Sequence, residues 1–323
     1  MQQLKDIIMK RILVTGALGQ IGSELTVSLR NKYGNKNVIA SDIHEANEKT
    51  KAEGPCEIVD VLDKKAIERV VDQYKIDTIY HLGAILSAVG EKNPQVAYQI
   101  NMNGFFNILE VARERKLERV MVPSSISAFG PDSPKENTPN DTILRPNTMY
   151  GVTKVAGELL GNYYVKRFGL DVRGVRFPGI ISYKTLPGGG TTDYAVEIFY
   201  EAIKNKKYTS FLSEDSRLPM MFISDAIKAL MDLSEAPFDA LKHHCDYNIA
   251  AVSFTPKELV TAIQKRIPEF TCEYKPDYRQ EIADSWPASL DDTCARKEWG
   301  WSHEYGMEKM VDLMLEKIQE KLS

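Results

Sequence analysis

Positive charge is not in excess in this sequence: 41 lysines and arginines stand against 45 aspartates and glutamates, for a net charge of −4. No basic footprint exists for nucleic acid or an anionic membrane surface, so neither is an expected partner. No apolar run reaches the length of a membrane span. The four cysteines, Cys56, Cys245, Cys272 and Cys294, form no C-x-x-C pair and no metal-ligand spacing. That excludes a disulfide framework and predicts no bound metal. The first ten residues carry Asp6 and few basic groups, a pattern of neither a secretory signal nor a transit peptide. These absences predict a cytoplasmic protein; a matured organelle protein would read identically. What is present suits an ordinary folded chain: 43% hydrophobic residues in 323, enough for one large or two moderate domains.

The stretch Arg11-Ile-Leu-Val-Thr-Gly-Ala-Leu-Gly-Gln-Ile-Gly22 carries the first chemistry. A β-branched run ends in Gly16, and Gly19 and Gly22 follow at steps of three before a helix-like segment, Ser23 to Lys32. A strand, tight turn and helix start bring backbone N–H groups to a point where a pyrophosphate can sit, provided that no Cβ blocks the approach. Asp42, at the end of the next strand, stands about 20 residues beyond Gly22, the spacing of a carboxylate that accepts from an adenosine ribose.

Strands and helices then alternate. The segment Cys56–Val59 reads as a third strand, closed by Asp60, which either accepts from an adenine amino group or caps the helix through Tyr74. Residues 77–84 form a fourth strand ending in small residues that leave room for a cofactor, followed by a helix from about Pro94 to Arg115 and a fifth strand, Glu118 to Ser125. A surface loop, Gly130 to Pro146, delivers the chain to a helix through Phe168 and a sixth strand, Asp171 to Arg176. The pattern predicts an α/β protein with a doubly wound, mostly parallel Rossmann sheet over residues 1–177. Residues 178–323 read as a smaller α+β lobe, some segments of which return to the sheet, with a terminal helix from about Tyr305 to Lys321.

Tyr150-x-x-x-Lys154 places a phenol and an ammonium one helical turn apart on one face. A phenol with a pKa near ~10 is a poor base at neutral pH, but a neighbouring ammonium favours the phenolate and makes it a proton acceptor for an alcohol. A hydroxyl at Ser125 can hold the same substrate oxygen.

Together, Gly16-x-x-Gly19-x-x-Gly22, Asp42, Asp60, Ser124-Ser125, Tyr150-x-x-x-Lys154 and Arg176-Phe-Pro-Gly179 resemble the extended short-chain dehydrogenase/reductases over nearly the whole chain. The resemblance implies proton transfer by Ser125, Tyr150 and Lys154. It also implies a nicotinamide ribose on Lys154, a carboxamide against Pro178-Gly179, and further cofactor contacts from Gln20, Ile21, Val61, Leu82, Gly83, Ala84 and Asn101. An acidic Asp42 would repel a 2′-phosphate, which favours NAD over NADP. Within the family, the second half is similar to the short-chain type of L-threonine 3-dehydrogenase, through residues 81–87, 186–194, 217–221 and 284–287, with Asp291-Asp292 and residues 298–301 beyond. Gly83 departs from that pattern, since many relatives carry Ala there.

That likeness implies NAD-dependent oxidation of L-threonine to 2-amino-3-oxobutyrate. A small zwitterionic substrate needs donors for its carboxylate, and Gly190, Thr191 and Thr192, at a glycine loop entering a helix, supply them; alternatively Thr192 or Asp193 merely caps that helix. Ser87 and Trp286 are the remaining candidates for the substrate pocket. The composition of Gly188-Gly-Gly190 suggests a loop that closes over it. Two other readings stay open: a nucleotide-sugar epimerase or dehydratase, for which Arg217, Arg266 and Arg279 are available, and a non-catalytic NAD-binding regulator. A second apolar face on the two long helices, comprising Phe105, Leu109, Leu160 and Tyr164, predicts a homodimer.

Overall fold

A computed structural model describes residues 11–184, 188 and 190–323. The first ten residues, and 185–187 and 189 of the predicted glycine loop, lie outside the described residues. β1 (Ile12–Thr15) is wholly buried, as an interior parallel strand covered on both faces must be. There follow α1 (Gln20–Tyr33), β2 (Val38–Asp42), α2 (Glu48–Glu53), β3 (Cys56–Ile58), α3 (Lys64–Tyr74) and β4 (Thr78–His81). Beyond them come α4 (Ser87–Lys92), α5 (Pro94–Tyr98), α6 (Phe105–Glu114), β5 (Arg119–Met121), β6 (Ser124–Ser125), α7 (Met149–Phe168) and β7 (Asp171–Arg173). The main sheet has the order β3-β2-β1-β4-β5-β7, all parallel. Its strand order reverses between β1 and β4, the crevice where such sheets bind ligands at the strands' C-terminal ends.

Two expected elements are broken. The helix expected over 94–115 is α5 and α6 joined by a π-helical turn at Gln99–Gly104, and α4 precedes it. In that turn a Cβ on Gly104 would meet Val61 Cγ2 at 2.6 Å, so the segment between β3 and α3 leaves room there only for glycine. The fifth and sixth strands each bend in the middle. Pro123 has no N–H to donate, and a Cβ on Gly174 would press on the Cys245 carbonyl at 2.9 Å. The chain beyond the bends forms β6 and β8 (Val175–Phe177), which leave the main sheet and pair with each other, Ser125 beside Phe177.

The second half begins at β9 (Gly179–Ile181) and continues through α8 (Tyr194–Lys204), β10 (Lys207–Ser210), β11 (Leu218–Phe222), α9 (Ile223–Glu235) and β12 (Tyr247–Asn248). β13 (Val252–Phe254), α10 (Pro256–Gln264), β14 (Thr271–Tyr274), α11 (Arg279–Asp284), α12 (Thr293–Trp299) and α13 (Met307–Leu322) complete it. β12 joins β8, and β9 joins β11, so the lobe grows from the bent strand ends.

Alternate residues of β1 feed two cores. Leu13 packs with Ile39, Ile79 and the helices α3 and α6, whereas Ile12 and Val14 open onto a larger cluster that runs through α8 and α9 to Met310 and Met314 of α13. Phe105, Leu109 and Tyr164 belong to the first core and Leu160 packs against it, so these four are not an outward face. The predicted apolar surface lies one residue along, at Phe106, Leu159 and Tyr163, of which Leu159 is 65% exposed. An error of one position on a helix rotates the assigned face by about 100°.

Candidate active site

A cavity of about 260 Å³ opens at the β1/β4 crevice. Its floor begins with the glycine turn. Gly16 takes φ +69°, and a Cβ there would meet Gly83 N at 2.7 Å, so this glycine allows the turn and the close pass of the segment after β4. A Cβ on Gly22 would collide with the Gly16 carbonyl, which makes that glycine the one that seats α1. On Gly19 the nearest contact is Gly16 O at 3.3 Å, and the remaining space is cavity. Gln20, Ile21 and Gly22 line the same cavity, at the start of a helix whose first-turn N–H groups have no acceptor inside the helix. This cradle fits a dinucleotide pyrophosphate.

Asp42 stands at a separate recess of about 150 Å³, where its carboxylate accepts from Leu18 N at 3.1 Å and His44 N at 3.3 Å. The turn and the ribose-seeking carboxylate are thus tied together. Asp60 does not cap α3; Asp63 does, accepting from Ala66 N at 3.1 Å, while Asp60 is exposed and accepts from Leu62 N. The sequence holds two aspartates three apart, and only the later one sits at the first helical turn. Neither Asp60 nor Val61 is among the residues lining the cavity.

Leu82, Gly83, Ala84, Asn101 and Pro178 line it. Asn101, from the π-helical turn, accepts from Ile85 N at 2.8 Å and donates to Ile85 O and Thr153 Oγ1. It pins the segment after β4 to α7.

Ser125, Tyr150 and Lys154 come together on one wall. α7 starts at a Thr148 cap that accepts from Gly151 N, which sets Tyr150 in the first turn. Burial pushes the Tyr150 phenol up to about 12, opposed by its hydrogen bond with Ser125. Burial also holds the Lys154 ammonium down to about 8, opposed by the Glu158 carboxylate. The ammonium lies 5.3 Å from the centre of the Tyr150 ring and donates to Pro123 O at 2.8 Å. His81, also lining the cavity, is held neutral, its pKa pushed down to about 3 by burial and by Lys154. Its Nδ1 hydrogen-bonds the Thr15 hydroxyl at 2.8 Å.

The same cavity is lined by Ser87 and Thr191, both buried, with their hydroxyls 3.3 Å apart, and by Thr192. Neither Thr192 nor Asp193 caps α8 with its side chain: the Asp193 carboxylate accepts instead from Gly190 N at 2.6 Å, which folds the glycine back onto the wall. Trp286 also lines the cavity, its carbonyl held by Lys135 Nζ at 3.0 Å. Among the described lining residues, Lys154 has the only cationic side chain. Arg217, Arg266 and Arg279 are engaged elsewhere, with Glu258, with Glu308 and Asp312, and with Asp277.

Sequence reading missed Glu158, a buried carboxylate on the cavity wall next to Lys154. Its signal was available: it repeats the four-residue step from Tyr150 to Lys154 once more. Away from the cavity, His243, Cys294 and Glu298 bring metal-ligand atoms within 4.8 Å of one another. There both Glu298 oxygens are already engaged, by His243 Nδ1, by the Tyr247 hydroxyl and by the N–H groups of Lys242 and His243, and the cluster is a hydrogen-bonded knot.

Three comparisons bear on this site. Residues 12–250 match the model of the NAD dependent epimerase/dehydratase family. An uncharacterized epimerase/dehydratase of Staphylococcus saprophyticus is 51% identical, over 97% of this chain and 98% of its own. The crystal structure of an L-threonine dehydrogenase from Clostridium difficile is 54% identical, with a TM-score of 0.94 over 97% of this chain and 98% of its own. A monomeric L-threonine 3-dehydrogenase of metagenomic origin is 47% identical, with a TM-score of 0.94 over 97% of this chain and 100% of its own.

Proposed function

Because this chain belongs to the NAD-dependent epimerase/dehydratase family, within the extended short-chain dehydrogenase/reductases, we propose that it oxidises the 3-hydroxyl of L-threonine, giving 2-amino-3-oxobutyrate. The observation that carries this reading is that one cavity is lined both by Ser125, Tyr150 and Lys154 and by the small hydroxyl side chains Ser87, Thr191 and Thr192. Hydroxyl donors without a cationic groove suit a compact amino acid carboxylate and leave a nucleotide diphosphate without counter-charge. Bound NAD supplies the hydride acceptor, held by the Gly16–Gly22 turn, Asp42, Lys154 and Pro178.

The chain's own groups then divide the work. Ser87, Thr191 and Thr192 hold the carboxylate and fix which face of Cβ is presented. Ser125 and Tyr150 share the substrate hydroxyl, and Tyr150 takes its proton. In the cofactor-free site burial keeps this phenol protonated, so positive charge must lower its pKa before it serves as base, and Lys154 is the protein's source of that charge. Trp286 keeps the pocket short and excludes water. We also infer that the exposed apolar strip on α6 and α7 pairs two copies of the chain.

NAD reduction followed across a panel of amino acids, with conversion of UDP-sugars followed by product chromatography because epimerases and dehydratases regenerate their NAD, tests the substrate. Threonine should be the preferred reductant, and turnover confined to UDP-sugars would establish an epimerase or dehydratase instead. Tyr150→Phe should lower kcat by about 10²–10⁴-fold with NAD binding retained. Undiminished activity in that variant would dismiss the phenol as base, and absence of any turnover in the wild type would favour an NAD-binding regulator.

A further inference from the structure

Tyr150, Lys154 and Glu158 follow one another at four-residue steps along α7, so all three side chains rise on one face and reach the same cavity wall. The first two have roles in the proposed reaction, and the third does not. Glu158 is 4% exposed, and burial pushes its carboxyl up, so a charge there must be compensated in place. Arg176 does so as a fork, Nε to Oε1 at 2.9 Å and Nη2 to Oε2 at 2.8 Å. The Ser124 hydroxyl donates to the same Oε1. Arg176 lies directly across the β6–β8 ladder from Ser124, and Ser125 is the next residue on that strand. Its remaining donors reach Asn140 O and Asn248 Oδ1, and its guanidinium lies over the Phe129 ring.

A buried ion pair is a poor way to gain stability, because apolar side chains of equal volume serve as well or better. A charge kept at a cavity wall therefore invites a role at the cavity. We propose that Glu158 is a positioning residue of the proton-transfer apparatus: clamped by Arg176 and Ser124, its carboxylate keeps the neighbouring Lys154 an ammonium and fixes the strand end that presents Ser125. The inference rests on the reading of Tyr150 and Lys154 as the proton-transfer pair. From α7, Lys154 sees Tyr150 and Glu158; from β4, it sees His81. Glu158 sees Arg176 from β8 and Asp246 ahead of β12; the Cys245 thiol beside Asp246 is held protonated by burial, and Asp141 bears on Arg176 from the loop before α7. Of these, Glu158 is the anion that acts on Lys154.

Removing an anion makes every nearby proton easier to lose. Glu158→Gln should therefore move both limbs of the kcat/KM pH profile, the deprotonation of Tyr150 and that of Lys154, to lower pH by about one unit. In cofactor-free protein labelled at lysine Cε, the Lys154 resonance, assigned by its loss in Lys154→Arg, should titrate about one unit lower in the variant than in the wild type. Glu158→Asp should restore both. Glu158→Gln leaves Arg176 buried without its partner, so the double variant Glu158→Gln, Arg176→Met is prepared in parallel; it holds no orphan charge and, because loss of the Arg176 cation acts in the opposite sense, should show a smaller displacement in the same direction. A merely structural carboxylate predicts lower stability or rate with limbs and resonance unmoved, and that result in Glu158→Gln, with the double variant folded and equally unmoved, overturns the proposal. The titration needs no substrate, so it separates this outcome from a failure of the threonine reading, which the panel and Tyr150→Phe decide.

Discussion

At the scale of single residues, the site stores free energy in Lys154. Its pKa falls from 10.5 unfolded to about 8 in the folded protein, chiefly through burial. Below about pH 8 both states carry the charge and the folded state bears the desolvation cost in full; between there and 10.5 the unfolded chain binds more protons, so rising pH relieves the cost. Lys154→Met should accordingly stabilise the cofactor-free protein near neutrality by about 1–3 kcal/mol, less than the shift alone implies because the cavity admits water. The gain should fade as the pH of the thermal melt rises toward 10.5. A gain independent of pH would mean that the ammonium bears no such cost. Most of the chemistry at this scale was legible in sequence, because Gly16, Gly19, Gly22, Tyr150 and Lys154 are spaced by local backbone geometry. Glu158 and Lys135 were not, since their partners, Arg176 and the carbonyls of Asp284 and Trp286, lie far along the chain and only the fold brings them near.

Among the elements, α7 is the one that everything touches. It presents Tyr150, Lys154 and Glu158 to the cavity, and on another side it meets the segment before β12 so closely that a Cβ on Gly161 would stand 2.5 Å from Cys245 Sγ. Gly161→Ala should therefore cost about 1–3 kcal/mol in urea unfolding, although alanine is the better helix former. Combined with Cys245→Ala, which removes the sulfur, most of that loss should return; a double variant no more stable than the single would place the strain elsewhere. Alternating strands and helices announced a doubly wound parallel sheet, because period and turn residues act locally. The bends at Pro123 and Gly174 were written in the sequence as well, but their result, a second small sheet carrying Ser125, depends on where β12 returns. The π-helical turn depends on Val61 pressing on Gly104, a contact that helical periodicity does not encode.

For the molecule as a whole, the exposed apolar strip on α6 and α7 bears on assembly, and a relative at 47% identity is monomeric. Phe106 at 48%, Leu159 at 65% and Tyr163 at 53% exposure present ring and aliphatic surface to solvent. Light scattering at micromolar concentration should give twice the chain mass, and Leu159→Lys with Tyr163→Lys should reduce it to one. A single-chain mass for the wild type would show instead that the strip has no like partner. Another consequence comes from the weld between the loop ahead of α7 and the segment after α11. Lys135 O accepts from Ala288 N and Ser289 N, Thr138 exchanges bonds with Ser289 and Asp291, and Lys135 Nζ grips the turn bearing Trp286. On the proposed role of Trp286, the length of substrate admitted would be written jointly in two passages of sequence some 150 residues apart. Breeding this scaffold toward bulkier alcohols would require transplanting both passages from one donor, since a graft of either alone would set mismatched rungs against each other.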